Sequence, residues 1–249
     1  MKNKRLYIFS AIMILALSSG ACRFLPFFNV VRGSGDLVSE VRTVSDFTSI
    51  RLDGAGQLLI TQGDSEALEI TAEDNLIDDL TSEVQDGTLV LGFQDNPLRK
   101  TLFPTRPITY TLMVRDLDSI TVNGAGDLQI DTLQTNALAL TLNGAGQFKI
   151  NNLEAQSLAV KLFGAGNIEI GGEVVSQDIQ IDGAANYQAD NLRTGSTVIE
   201  ISGLGNAVVW AVDSLNVSIS GAGNLEYYGS PTVTQNIEGA GNVQHRGDK

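Results

Sequence analysis

The chain has 249 residues, of which 26 are glycine and 5 proline, with one cysteine and a formal charge of −13. That acidic balance excludes nucleic acid and unaided adhesion to anionic lipid, since both need positive charge. A lone cysteine excludes disulfide staples and cysteine-based metal sites, so packing and hydrogen bonds must hold the fold.

Residues 1–22 read as an export signal. Lys2, Lys4 and Arg5 give a positive start, Leu6 to Leu17 are almost wholly apolar, and Ser18, Ser19, Gly20 and Ala21 lead to Cys22. An apolar run of this length suits a signal-peptide core better than a membrane span. Cys22 is placed as in a bacterial lipoprotein signal, in which the cysteine is diacylated and becomes the new N-terminus. Ser19 stands where such signals usually carry Leu, which leaves ordinary cleavage or retention as an anchor open. The reading predicts an extracytoplasmic, membrane-anchored lipoprotein, with secretion as the alternative. Cleavage would remove three positive charges and take −13 to −16. Residues 23–35 read as a tether, and 36–249 as the domain it carries.

Within that domain a glycine motif recurs eight times: Asp53-Gly-Ala-Gly-Gln57, Asn123-Gly-Ala-Gly-Asp127, Asn143-Gly-Ala-Gly-Gln147, Phe163-Gly-Ala-Gly-Asn167, Asp182-Gly-Ala-Ala-Asn186, Ser202-Gly-Leu-Gly-Asn206, Ser220-Gly-Ala-Gly-Asn224 and Glu238-Gly-Ala-Gly-Asn242. After one gap of 70 residues the copies follow at steps of 18 to 20. Self-similarity at this period signals a solenoid. Aliphatic columns flank the motif, with Leu52, Val122, Leu142, Leu162, Ile181, Ile201, Ile219 and Ile237 before it. Ile60, Ile130, Ile150 and Ile170 lie after it. Period-two alternation on both sides makes each flank a strand with one buried face. The predicted fold is all-β, a right-handed single-stranded parallel β-helix of about twenty residues per coil. Whether a coil has two or three strands stays open, as does whether the glycines bend the chain or let a kinked strand run through.

The 70-residue gap holds degenerate coils with strands at 68–72, 88–92 and 108–114. Near 74–84, Asp74 can cap a short helix whose Leu76, Ile77, Leu80 and Val84 share a face. Residues 93–107 read as a long loop with Pro97, Pro104 and Pro107. Its Arg99, Lys100 and Arg106 form the basic cluster outside the signal and the candidate partner-binding loop.

The opening Gly35-Asp-Leu-Val-Ser-Glu-Val-Arg-Thr-Val-Ser-Asp-Phe-Thr-Ser-Ile50, followed by Asp53-Gly-Ala-Gly-Gln57, Ile60-Thr-Gln-Gly63 and Asp86-Gly-Thr-Leu-Val-Leu91, resembles a family of bacterial envelope proteins. These are the auto-transporter adhesins with a head GIN domain, and the resemblance covers nearly the whole mature chain. It implies a pectin-lyase-like β-helix, an export or lipoprotein signal in many members, and no family catalytic residues.

Outward positions after the motif form an amide row of Gln57, Gln147, Asn167, Asn186, Asn206, Asn224 and Asn242, with Asp127 in the second coil. The structural reading is a ladder of side-chain hydrogen bonds; the functional one is a strip for sugars. Regular calcium loading would need Asp in every coil, and only Asp53 and Asp182 hold the first motif position. Asp182 lacks an acidic partner in its column, Lys149 and Glu169 form a surface pair, and His245 reads as a terminal cap. Of the aromatics Phe163, Trp210, Tyr227 and Tyr228, Tyr227 aligns with a core column and the others read as scattered.

The sequence therefore predicts a non-catalytic surface scaffold or adhesin-like module, without cofactor or metal. Its partner would be a cell-wall glycan or an envelope protein. The alternative is a carbohydrate-active, pectin-lyase-like enzyme of the cell envelope.

Overall fold

Strands with one greasy face can bury it only against equivalent strands. The computed structural model of the chain, which describes residues 29–94 and 100–249, is built on that stacking. Strands β1 (Asn29–Arg32) and β7 (Lys100–Phe103) pair as a two-stranded sheet. The rest is one solenoid. Its parallel ladder runs from β3 (Ser49–Gln62) through β9 (Ser119–Gln134), β10 (Ala137–Leu162), β11 (Ala165–Ile181) and β12 (Asn186–Ile201) to β13 (Asn206–Ile219). The final coils are β14 (Asn224–Tyr228), β15 (Thr232–Ile237) and β16 (Asn242–His245).

Register follows the columns. Ile60 pairs with Ile130, Ile130 with Ile150, and Ile150 with Ile170. On the other flank Leu162, Ile181, Ile201, Ile219 and Ile237 are successive partners. Every member of both rows except Ile237 is buried. Each aliphatic residue thus covers the one below, and removal of this apolar area is worth roughly 25 cal/mol per Å².

The glycines answer a second demand of the stacking. A Cβ on Gly144 would stand 2.0 Å from the carbonyl oxygen of Gly124, and one on Gly164 would stand 2.1 Å from that of Gly144. The backbone of each coil lies against the backbone of the last, and only glycine leaves room. In the coils of β3, β9 and β10 the strand runs through the motif, whereas from Asp182 onward the motif is a bend. Coil-to-coil bonding continues there, with Asp182 N donating to Leu162 O (2.8 Å) and Ser202 N to Ile181 O (2.8 Å).

The 70-residue gap holds one coil on the N-terminal side of β3. Strand β6 (Thr88–Phe93) pairs in parallel with the first half of β3, and β8 (Thr109–Val114) with the second half. Antiparallel strands close this end: β4 (Ala67–Glu73) lies on β8, β2 (Leu37–Arg42) on β4, and β5 (Leu80–Gln85) on β6. The strands predicted at 68–72, 88–92 and 108–114 are thus β4, β6 and β8.

The helix predicted near 74–84 is instead one 3-10 turn, Ile77–Asp79, running into β5. Asp86 and Gly87 adopt positive φ (50° and 74°), the geometry of a tight hairpin turn, and fold β5 back on β6. Asp74 does not cap the turn; it accepts from Ser34 Oγ (2.5 Å). Arg42 donates to the carbonyls of Ile77 (3.2 Å) and Leu80 (3.4 Å), replacing partners that a longer helix would supply. Part of the predicted 93–107 loop is likewise strand β7.

Glu73 fastens this end. Its buried carboxylate accepts from Gly35 N (2.7 Å), Thr105 N (2.8 Å), Thr105 Oγ1 (2.5 Å) and Arg106 N (3.4 Å). Ser34 N also donates to Asn75 Oδ1 (3.0 Å), so residues 34–35, read as the end of a tether, are pinned to the domain. Burial opposes the charge on Glu73, but the hydrogen bonds from Thr105, Gly35 and Arg106 outweigh it and lower its pKa.

Gly144→Ala is expected to lower the melting temperature by about 5–10 °C, as roughly 2–3 kcal/mol of clash would. The exposed neighbour Ala145→Ser should leave it within about 2 °C, as surface changes do. Because the folded pKa of Glu73 lies below its unfolded value, its contribution is complete above the unfolded pKa and disappears as pH falls through the folded one. Melting curves against pH should therefore place Glu73→Gln below wild type at neutral pH. The gap should close below about pH 4, the ordinary carboxylate range.

Candidate functional site

Glu73 also places a surface. By holding Thr105 and Arg106, it sets the segment from Pro104 to Ile108 beside the glycine-motif face, where Gln57 N donates to Ile108 O (2.8 Å). A Cβ on Gly56 would lie 2.7 Å from Tyr110 Cε2 and 3.2 Å from Ile108 O, so glycine permits the approach. Between segment and motif lies a cavity of about 440 Å³. Ala55, Ala125 and Ala145 form its floor, and Pro104 and Pro107 its rigid wall. Gln57, Asp127 and Arg106 supply the polar groups.

Asp127 accepts from Gln147 N (2.9 Å), which fixes its carboxylate across neighbouring coils. Arg106 is exposed, and among the described residues its guanidinium forms no ion pair. The arrangement can take an apolar ring face on the alanines while an amide, a carboxylate and a guanidinium meet polar substituents. Of the other predicted site residues, Cys22 and Arg99 lie outside the described residues. Lys100 opens β7.

In the amide row, Asn206 Nδ2 donates to Asn186 Oδ1 (3.3 Å) and Asn224 Nδ2 to Asn206 Oδ1 (3.0 Å). Asn167 and Asn242 occupy the same row at its middle and end. A second ladder, unread in the sequence, occupies the first motif position. Asn123 Nδ2 donates to Asp53 Oδ1 (2.6 Å) and Asn143 Nδ2 to Asn123 Oδ1 (2.8 Å). These links reach only the coils directly above and below, as structural ladders do.

Among groups weighed for catalysis, Lys149 Nζ pairs with Glu169 Oε1 (3.2 Å) and Asp182 accepts from Gln180 (2.8 Å). His245 stacks on Tyr227 with ring centroids 4.8 Å apart and lies 2.7 Å from Gly229 O. Among the described residues no three His, Cys, Asp or Glu side chains converge to hold a metal ion. Two features escaped the sequence. Tyr187 Oη donates to Gln177 Oε1 (2.8 Å) and Gln177 Nε2 to Thr197 Oγ1 (3.0 Å), a satisfied polar chain inside the solenoid. Burial raises the Tyr187 phenol pKa far above its ordinary value. The aromatics are also less scattered than predicted, because Trp210 and Tyr228 are register partners, with Arg193 next in the column.

Comparison with known proteins agrees with this architecture. No curated protein matches the sequence. A "putative adhesin" from Bacteroides fragilis has a TM-score of 0.81 at 26% identity, covering 86% of this chain and 99% of its own. A "putative lipid binding protein" from Parabacteroides distasonis (TM-score 0.70, 21% identity) and a "putative adhesin" from Parabacteroides merdae (0.67, 23%) share the fold. Each covers 87% of this chain and 99% of its own. The family model described as "Putative auto-transporter adhesin, head GIN domain" matches residues 46–231, and the chain belongs to that family.

Proposed function

We propose that the protein is an exported, non-catalytic, adhesin-like module, anchored through a lipid on Cys22. On this reading it meets a cell-wall glycan at the groove between the Gly-Ala-Gly face and the 104–108 segment. The groove carries the proposal. A floor of small apolar side chains flanked by prolines suits the carbon face of a sugar ring, while Gln57, Asp127 and the exposed Arg106 suit its hydroxyls and any acidic substituent. The family supports the adhesin-like role, and the positive start, apolar run and Cys22 of the sequence support export and anchoring.

Rigidity also favours binding here. Gln57, Asp127 and the alanine floor sit on paired strands, and Glu73 fixes the opposing segment, so little ordering remains to oppose association.

Protein recovered from its native membrane should carry a diacylglycerol mass at Cys22 and, once solubilised, bind solubilised cell-wall glycan. Arg106→Ala or Gln57→Ala should weaken that binding about tenfold each, the equivalent of one lost polar contact at roughly 1.4 kcal/mol. Full binding by both variants would remove the groove from the account. An unmodified Cys22 would remove the anchor.

A further inference from the structure

The aromatic column lies beside an irregularity in the ladder. Ala189 pairs with Val209 and Arg193 with Trp210, so Asp190, Asn191 and Leu192 bulge from β12 with no partners in β13. Such bulges re-aim side chains at particular sites. Here Asp190 and Asn191 are turned toward the ledge of Trp210 and Tyr228, which stand one above the other at the strand spacing of about 4.8 Å.

What occupies that corner is an ammonium. Lys249 Nζ lies 4.8 Å from the centroid of the Tyr228 ring and 5.9 Å from that of Trp210, within reach of cation–π attraction. It donates to Asp190 Oδ2 (3.0 Å), to Asn191 Oδ1 (3.2 Å) and, at short range, to the Asp190 carbonyl. Two aromatic faces, one carboxylate and two neutral oxygens match a primary ammonium, whose three N–H donors need acceptors and whose charge favours ring faces.

We propose that Asp190, Asn191, Trp210 and Tyr228 form a binding site for the primary ammonium group of an external ligand, and that Lys249 fills it when no ligand is bound. The segment bearing Lys249 is held mainly upstream of that residue, where the Arg246 guanidinium donates twice to the Glu226 carboxylate. Arg246 N donates to Tyr227 O (2.8 Å), Gly229 N to Gly247 O (3.0 Å) and Ser230 Oγ to Asp248 Oδ1 (2.8 Å). Beyond these, the Lys249 ammonium is kept by its pair with Asp190, its hydrogen bonds to Asn191 and the Asp190 carbonyl, and its cation–π contacts, each near the surface and weak on its own. When it swings out, it leaves the two rings and the Asp190 carboxylate to a competitor. The site is built by later coils than the Arg106 groove, and the proposal does not rest on that groove.

Trp210 is the only tryptophan in the chain, so its emission reports on the site directly. The test titrates the wild-type chain and Lys249→Ala with Nα-acetyl-lysine methylamide at constant ionic strength, with the norleucine analogue as uncharged control and glucosamine as a ring-borne amine. The lysine compound should give a saturable change in Lys249→Ala that the norleucine compound does not. Wild type should bind about tenfold more weakly, because a tethered competitor reduces the open fraction. Asp190→Asn placed on Lys249→Ala should also lose about tenfold, the loss of one charged contact. Preference for the lysine compound assigns a peptide-borne ammonium, and preference for glucosamine an amino sugar. The proposal is overturned if no ammonium compound gives a saturable change in Lys249→Ala, if the norleucine compound matches it, or if wild type and Lys249→Ala bind alike.

Discussion

Every coil of the solenoid sets its side chains on those of the coil beneath it, residue for residue, and this register constrains everything else. Ile130, Ile150 and Ile170 form one unbroken aliphatic row because a twenty-residue step returns the chain to the same place. A slip of one residue would turn Gln129, Lys149 and Glu169 inward together. Even a paired Lys149 and Glu169 would then lose more hydration than their mutual attraction returns. The glycines enforce the same constraint along the backbone, since Gly124, Gly144 and Gly164 each lie against the one before, where a Cβ would collide.

Polar features follow from that frame. Asn186, Asn206 and Asn224 bond to one another because register brings like groups together, and Asp53, Asn123 and Asn143 do the same one row away. Inside the solenoid the Tyr187–Gln177–Thr197 chain interrupts the apolar row of Leu138, Leu158 and Leu215 at acceptable cost, because each side chain supplies its neighbour with a donor or acceptor. Where register is interrupted, the surface changes character. The Pro104–Ile108 segment beside the motif face walls the groove, and the Asp190–Leu192 bulge frames the aromatic ledge.

The solenoid was legible in the sequence because its information is columnar: eight copies of one motif with aliphatic flanks require no knowledge of distant contacts. The 74–84 segment reads as a helix because Leu76, Ile77 and Leu80 are each buried, a pattern that suits a helix face as well as a turn. The Asp86-Gly87 pair, a strong hairpin signal, was present and decides for β5. Trp210 and Tyr228 could have been aligned, since each stands four residues beyond its motif asparagine. Arg193 could not, because the bulge displaces it. Neither could Glu73, whose partners at Gly35 and Thr105 are distant in sequence and carry no recurring pattern.

Cysteine cross-linking across one rung measures the register in solution. With Cys22→Ser as background, Lys149→Cys and Glu169→Cys become adjacent partners at the strand spacing of about 4.8 Å, within disulfide reach. Gln129→Cys and Glu169→Cys lie two coils apart at about 9.6 Å, beyond that reach. Rapid oxidation of the first pair with none of the second is the predicted result. Equal oxidation of both, or of the second alone, would contradict stacking in register.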